Sequence, residues 1–396
     1  MTAGWLKKIS AILALCMTIG CFSACGGEAP TEGTAETGET GEASTSEAEE
    51  KEVVKVGYIF MGDCDDEGTA ARDNIQRIAA CAHTDVKSYY IDNVTITDFP
   101  KAVDKLVEYG CTYIVSASPR FTNVLTDVAG KNMNINFISY GARIRTVNVY
   151  AYTDQMYEGA YVAGMAAAYN SNNEKVGIVV DPEMLYTTPV INAAALGIQL
   201  VYTDGELVTA FASEDDEIHK AVDALYKKGC DVIISYTESP ETVEYCEKKG
   251  IKVIGNHDYG ADTENYDNLL LTVYPDHDSF YLAQFKQMDL ETWEPETFVG
   301  TVANGAVAVS AAQDCAKDGT QDIINALLPK LATGDAYIFK GELKNTSGNI
   351  MIQQSSMMDP AEVYAMSWYV LGVNNELDVF VEQKTELEIN DFEIVE

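Results

Sequence analysis

The stretch AVDKLVEYGCTYIVS at 102–116 returns as AVDALYKKGCDVIIS at 221–235, with eight of fifteen residues identical at an offset of 119. Self-similarity at a fixed distance marks a duplicated structural unit. In each copy, apolar residues recur at helical spacing, which predicts an amphipathic helix. Each helix then meets a glycine, Gly110 or Gly229, in the position just past its end. A left-handed backbone is easiest for glycine there. A β-branched run follows and leads into a Ser-Pro pair, Ser118-Pro119 or Ser239-Pro240. A second pairing agrees with the first: KVGYIF at 55–60 and KVGIVV at 175–180 open the two halves at an offset of 120.

Working outward gives the same order of elements twice. The first half reads as strand 54–60, helix 68–82, strand 86–91, helix 98–109, strand 111–116, helix 120–130 and strand 134–139. The second reads as strand 174–180, helix 187–196, strand 198–204, helix 215–228, strand 230–235, helix 240–249 and strand 251–255. Strands alternating with helices predict an α/β fold of two doubly wound parallel-sheet lobes with right-handed crossovers. In open sheets of this kind ligands bind beyond the carboxyl ends of the strands. The informative loops are therefore 61–68, 116–122, 140–144, 181–187, 235–240 and 255–260, and facing lobes would bring all six to one cleft.

The chain has 396 residues and a formal net charge of −36, which disfavours nucleic acid, an anionic membrane surface and polyanionic ligands. Part of that charge is local, because residues 26–52 hold nine glutamates against one lysine and no large apolar side chain. Such a segment buries too little surface to offset its ordering entropy, so it is expected to be a disordered tether. Ahead of it, Lys7 and Lys8 precede an apolar stretch from Ile9 to Phe22. That length suits a signal peptide and is short of the ~20 residues a spanning helix needs. It ends in Phe22-Ser23-Ala24-Cys25-Gly26-Gly27, which resembles a bacterial lipobox, with Cys25 as the lipidated residue and Cys21 as the second candidate. The remaining six cysteines (64, 81, 111, 230, 246 and 315) show no metal-ligand spacing and are expected to be core thiols.

Several longer stretches resemble the basic membrane protein family. The run YTDQMYEGAYVAGMAAA (152–168) resembles that family's YEG-YLAG helix. PEMLYTTPVINAAALG (182–197), YTESPETVEYCEKKGIKVIG (236–255), LLLTVYPDHDSFY (269–281), VANGAVAVS (302–310) and the tail from 338 to 373 follow in the family's order. The resemblance covers about 53–380. It implies a type I periplasmic-binding-protein-like fold, with two lobes joined by a hinge, and the role of a lipoprotein receptor of an ABC importer. The implied boundaries are 1–25 for the signal peptide and 26–52 for the tether. Lobe 1 is 53–150 plus about 273–300. Lobe 2 and the C-terminal extension are 151–272 plus about 301–380.

The resemblance also implies a nucleoside-like ligand held by aromatic rings and carboxylates. Position by position, the family's Ser-Phe-Gly-Tyr-x-Asp falls on Ser118 to Asn123, retaining Ser118 and the aromatic Phe121 with Asn123 in place of the acid. A family asparagine falls on Asn192, and two ligand loops fall on Tyr236-Thr237-Glu238-Ser239-Pro240 and Gly255-Asn256-His257-Asp258-Tyr259. Thr69 and Ala70 stand where the family has a ring and an amide, and no lysine lies within 274–278. From the residues themselves, Asp66 at a helix start, Tyr186 and Tyr236 at strand-end loops, and the His257-Asp258 pair are candidates for ligand contact. The ligand-binding set is therefore Asp66, Ser118, Phe121, Asn123, Tyr186, Asn192, Tyr236, Glu238, His257 and Asp258. Arg120 is expected to pair with a ligand carboxylate or with Asp66, in a cleft otherwise rich in Asp63, Asp65, Asp66, Glu238, Asp258, Asp276 and Asp278.

The loop Asp63-Cys64-Asp65-Asp66-Glu67-Gly68 opens like an EF-hand, but position 12 is Asn74 instead of the bidentate glutamate, so no metal is expected. No nucleophile elbow, P-loop, dinucleotide fingerprint or HExxH occurs, so neither an enzyme nor a cofactor is expected. The reading is a monomeric solute receptor on the outer face of the cell membrane, held there by its lipid and partnered by an ABC permease. A sensor signalling through a membrane protein, or a receptor for a sugar or polyamine, is the alternative.

Overall fold

The Val- and Ile-rich runs form two stacks of parallel strands. A computed structural model describes residues 53–65, 68–141, 146–257, 265–377 and 392–396. The first half contains β1 (Lys55–Ile59), α1 (Thr69–Cys81), β2 (Lys87–Ile91), α2 (Phe99–Glu108), β3 (Tyr113–Ser116), α3 (Thr122–Lys131), β4 (Asn136–Tyr140) and β5 (Val149–Asp154). The second contains α4 (Met156–Asn170), β6 (Lys175–Val180), α5 (Thr187–Gln199), β7 (Glu206–Phe211), α6 (Asp215–Lys227), β8 (Val232–Tyr236), α7 (Glu241–Lys249), β9 (Lys252–Gly255) and β10 (Leu269–Pro275). The chain then supplies α8 (Asp278–Asp289) and β11 (Thr297–Gly300), followed by β12 (Val307–Val309) and α9 (Thr320–Ala332). An extension adds β13 (Leu343–Lys344), β14 (Ile350–Ile352), α10 (Pro360–Tyr364) and β15 (Val373–Asn374).

The first sheet has the order β11-β5-β4-β3-β1-β2 and the second β12-β10-β9-β8-β6-β7-β15. All pairings within them are parallel except β12 on β10. In each sheet the order 3-1-2 or 8-6-7 is what a doubly wound unit produces, and the two repeat copies occupy the same place in their sheets. Strand residues such as Ile114, Val115, Ile233 and Ile234 are buried on both sides. Each contributes roughly 1.5–3 kcal/mol by leaving water.

Two differences from the expected elements have simple causes. The residues 198–204 complete α5 and a turn, and the strand follows at 206–211. Ile198 continues the buried face of the helix, whereas the apolar run that pairs with β6 is Leu207–Ala210. β5 was not foreseen; it lies between β4 and β11 in the first sheet, and the chain leaves that sheet at Asp154.

Within the described segments the chain passes between the lobes after β5, after β10 and after β11, and residues 392–396 lie back on lobe 1. The three crossings are laced together. Gln155 N–H donates to Gly300 O at 2.8 Å, Asp276 N–H donates to Ala306 O at 2.9 Å, and Val302 N–H donates to Glu158 Oε2 at 2.7 Å. Among the described residues Cys64, Cys81, Cys111, Cys230, Cys246 and Cys315 form no disulfide, and Cys111, Cys230 and Cys246 are buried. Among the described residues no helix is long and apolar enough to cross a membrane.

Candidate functional site

Both Ser-Pro pairs act as local stops that turn strand ends into cleft loops. Ser118 Oγ accepts from Arg120 N–H at 3.3 Å, and Ser239 Oγ accepts from Glu241 N–H at 3.2 Å. A serine oxygen satisfies donors that a helix start leaves open, and the following proline has no N–H to lose.

The loops so placed line a partly open pocket of about 460 Å³ between the lobes. Lobe 1 contributes Thr69 and Arg72 from α1, Ala117 and Pro119 after β3, and Tyr140 at the end of β4. Lobe 2 contributes Met184 and Leu185 after β6, Tyr236 and Glu238 at β8, and Asn256 after β9. Met156 and Pro275 line it from the hinge. A second cavity of about 350 Å³ adjoins the first, sharing Thr69, Ala117 and Glu238, and adds Phe60, Met61, Gly62, Ala70 and Ser118. Together the two draw on all six strand-end loops.

The wall is held from behind. The Tyr236 hydroxyl donates to Leu185 O at 2.7 Å, which ties two lobe 2 loops together. The Asn256 amide accepts from Ser235 Oγ at 2.6 Å and donates to Thr237 O at 2.7 Å, so its orientation is fixed. Glu238 is the one acid on the two cavity walls among the described residues. Burial, and then the Asp181 carboxylate, push its pKa up to about 7, with Arg120 opposing the rise. A carboxyl near neutrality accepts hydrogen bonds when ionised and can donate one when protonated.

Beneath the cavity lies a buried charge network. Arg72 Nη2 donates to Asp73 Oδ1 at 2.8 Å, and His277 Nε2 meets Asp154 Oδ2 at 2.9 Å. His277 Nδ1 stands 3.7 Å from Asp73 Oδ1. Burial alone would lower the His277 pKa, but Asp154 and then Asp73 outweigh it and raise the value to about 9. Burial would likewise raise Asp73, yet the Arg72 guanidinium and His277 hold it below its ordinary value. Two cations therefore balance two carboxylates, and the guanidinium of Arg72 stands at the cavity wall.

The expected residues separate into groups. Tyr236 and Glu238 are brought together on the main cavity wall, and Ser118 lies on the second cavity. Tyr186 holds a left-handed backbone at φ 55° and turns its ring onto Tyr364, with centroids 4.2 Å apart, beside the wall but not on it. His257 is fully buried, and burial followed by the Arg72 charge lowers its pKa to about 3, so it is neutral. Three positions correct the expectation. Phe121 is fully buried in the lobe 1 core, its ring 4.6 Å from that of Phe99. Asn123 is exposed on α3. Asn192 is buried, and its amide donates to Trp368 O at 2.8 Å and accepts from Val370 N–H at 2.8 Å, which uses it to fasten the extension. Arg120 pairs with Glu183. Asp63, Asp65, Asp276 and Asp278 lie off the cavity walls, so the acid-rich cleft reduces to Glu238 among the described residues. Asp66, Asp258 and Cys25 lie outside the described residues.

Sequence reasoning passed over Arg72, Tyr140, Met156, Leu185 and Asn256 as contacts. Arg72 is one turn from Thr69 on the same helix face, and Tyr140 and Asn256 stand at strand ends, so spacing alone pointed to them.

Two doubly wound lobes with a hinge of three crossings and a cavity built from strand-end loops define a two-lobed solute-binding protein. Residues 53–334 match the model of the Bmp family, described as ABC transporter substrate-binding protein PnrA-like, and the chain belongs to that family. A purine-binding protein of Brucella abortus is 24% identical over 338 residues, covering 83% of this chain and 95% of that protein. A Haloferax volcanii protein that its name proposes as the glucose-binding component of an ABC transporter is 23% identical over 357 residues, covering 88% of each chain. In structure, an ABC transporter solute-binding protein from Aeropyrum pernix superposes with a TM-score of 0.64 at 13% identity, covering 79% of this chain and 95% of that one. The family is one of solute binding, not of catalysis. The matched region stops before the extension that Asn192 fastens.

Proposed function

We propose that this substrate-binding protein captures a nucleoside between its lobes and delivers it to an ABC permease, held at the outer membrane surface by lipid on Cys25. The observation that carries the reading is the pair of adjoining cavities meeting at Glu238. The larger has Tyr140 and Tyr236 among Met156, Met184 and Leu185, a setting for a flat heterocycle edged by the Asn256 amide. The smaller brings Ser118 and Thr69 beside the Glu238 carboxyl, a setting for sugar hydroxyls. The purine-binding relative supports the same ligand class. A polyamine is less favoured, because Arg72 stands on the wall and, among the described residues, a single carboxyl opposes it.

Calorimetry against inosine, guanosine, ribose, glucose, galactose and spermidine tests the reading. Tight binding of a nucleoside that changes little with salt is the expected result. Binding of glucose or ribose alone transfers the site to sugars, and affinity only for spermidine that collapses with salt overturns the nucleoside.

A further inference from the structure

Away from the hinge crossings, the lobes meet a second time across the cleft. Arg120 lies in a single 3-10 turn, Pro119–Phe121, of lobe 1. Its Nε reaches Glu183 Oε2, in the loop after β6 of lobe 2, at 2.5 Å. Both partners stand on anchored backbone. The Thr122 hydroxyl donates to Pro119 O at 2.7 Å, closing the turn that carries Arg120. Glu183 N–H donates to Asp181 Oδ1 at 2.9 Å, and Asp181 in turn accepts from Ser213 Oγ at 2.9 Å. Beside the pair the lobes touch through apolar groups. A Cβ added at Gly141 would fall 2.8 Å from Pro119 Cβ and 2.9 Å from Leu185 Cδ1, so lobe 1 backbone and a lobe 2 side chain are already in contact there.

Arg120 and Glu183 are absent from both cavity walls, although Pro119 and Leu185 beside them are on one. The pair therefore joins lobe to lobe and not lobe to solute. Asp181 and Glu238 also face the Arg120 charge from lobe 2, so separating the lobes removes one cation from three carboxylates at once. We propose that the Arg120–Glu183 pair is a release latch: it forms when the lobes close and sets how long the solute stays, without recognising it. Its side chains are 27% and 51% exposed, so water and salt screen it. An exposed pair of this kind is worth little in absolute terms, which translates into roughly two- to five-fold in a dissociation rate.

The proposal rests on the reading that the solute binds between the lobes, and the test separates the two. Stopped-flow measurement of inosine release is made on the wild type, Arg120→Gln, Glu183→Gln and the exchanged double variant Arg120→Glu/Glu183→Arg. Each single variant is expected to release inosine about two- to five-fold faster with little change in association rate, an effect that fades in high salt. The exchanged variant should return toward wild type. Unchanged release in both single variants, or no recovery in the exchange, overturns the latch. Small-angle X-ray scattering of the solute-free proteins gives a readout that needs no inosine. Losing either charge should enlarge the radius of gyration, and the exchange should reverse that. If the wild type binds no inosine, the nucleoside reading fails by itself. Identical scattering from all four proteins then sinks the latch.

Discussion

Replacing Gly110 or Gly229 by alanine gives a direct measure of the duplicated architecture. The two glycines have φ of 98° and 94° and occupy equivalent places after α2 and α6. In the first copy Cys111 N–H donates to Leu106 O at 3.0 Å and Gly110 N–H to Val107 O at 2.9 Å. In the second, Cys230 N–H donates to Leu225 O at 3.2 Å and Gly229 N–H to Tyr226 O at 3.0 Å. Both patterns are Schellman closures, with the cysteine and leucine packed in the same core cluster. Steric crowding contributes nothing: a Cβ at Gly229 meets no atom within 4 Å, and one at Gly110 comes no nearer than 3.5 Å to Lys55 Nζ. The loss is therefore the backbone term alone, about 1–2 kcal/mol per site. For a body of this size that is a drop of roughly 1–3 °C in melting temperature, read by differential scanning calorimetry. Asparagine tolerates this backbone better, so Gly→Asn should lose less than Gly→Ala at both sites. Unchanged melting in both alanine variants, or equal losses for alanine and asparagine, would refute the conformational argument.

Four other outcomes are open to measurement. Asn192→Ala leaves Val370 N–H and Trp368 O without their buried partner and should cost about 2–4 kcal/mol in urea unfolding, with the extension becoming the first site of limited proteolysis. His277 has a folded pKa raised from 6.5 to about 9, so the stability it supplies is complete below pH 6.5 and fades as pH rises through 9. Melting followed from pH 6 to 10 should show that fall in wild type and a flatter profile in His277→Gln. Glu238, with its pKa near 7, should make nucleoside affinity rise from pH 6 to 8 if the ionised form accepts sugar hydroxyls, and titrations of Glu238→Gln should lose that slope. Metabolic labelling with a fatty-acid probe should mark wild type and fail for Cys25→Ala; persistent labelling transfers the anchor to Cys21.

The repeat made the layers readable because Gly110 and Gly229, the apolar helix faces before them and the Ser-Pro stops after them are local signals with one physical solution each. The loops of the cavity followed from strand direction alone. Individual contacts were harder to read. Phe121 and Asn192 belong to cleft-facing stretches, yet one ring fills a core beside Phe99 and one amide serves a segment 174 or more residues away in sequence. No local pattern announces such a partner. The Arg72–Asp73–His277–Asp154 network escaped for the same reason: its members sit on three separate stretches of chain and become meaningful only when the hinge brings them within hydrogen-bonding range. Glu238 was chosen because a family ligand loop falls on it, whereas its near-neutral pKa arises from burial and then Asp181, neither of which spacing reveals.

The extension has one more consequence. β2 is the outer strand of its sheet and β7 would be that of the other without β15, and the tail reaches both: Val373 and Asn374 register with Leu207 and Val208, while Tyr90 and Val395 exchange hydrogen bonds of 2.7 and 3.0 Å. Phe392 and Ile394 add apolar cover to the lobe 1 core. An uncovered edge of parallel sheet is a template on which another molecule's strand can grow. A chain shortened at residue 334 would leave β7 without its β15 partner and Tyr90 without its bridge to Val395, and it is expected to self-associate more readily than the intact protein. Expression yield and colloidal behaviour, more than solute affinity, are the properties such a truncation is expected to degrade.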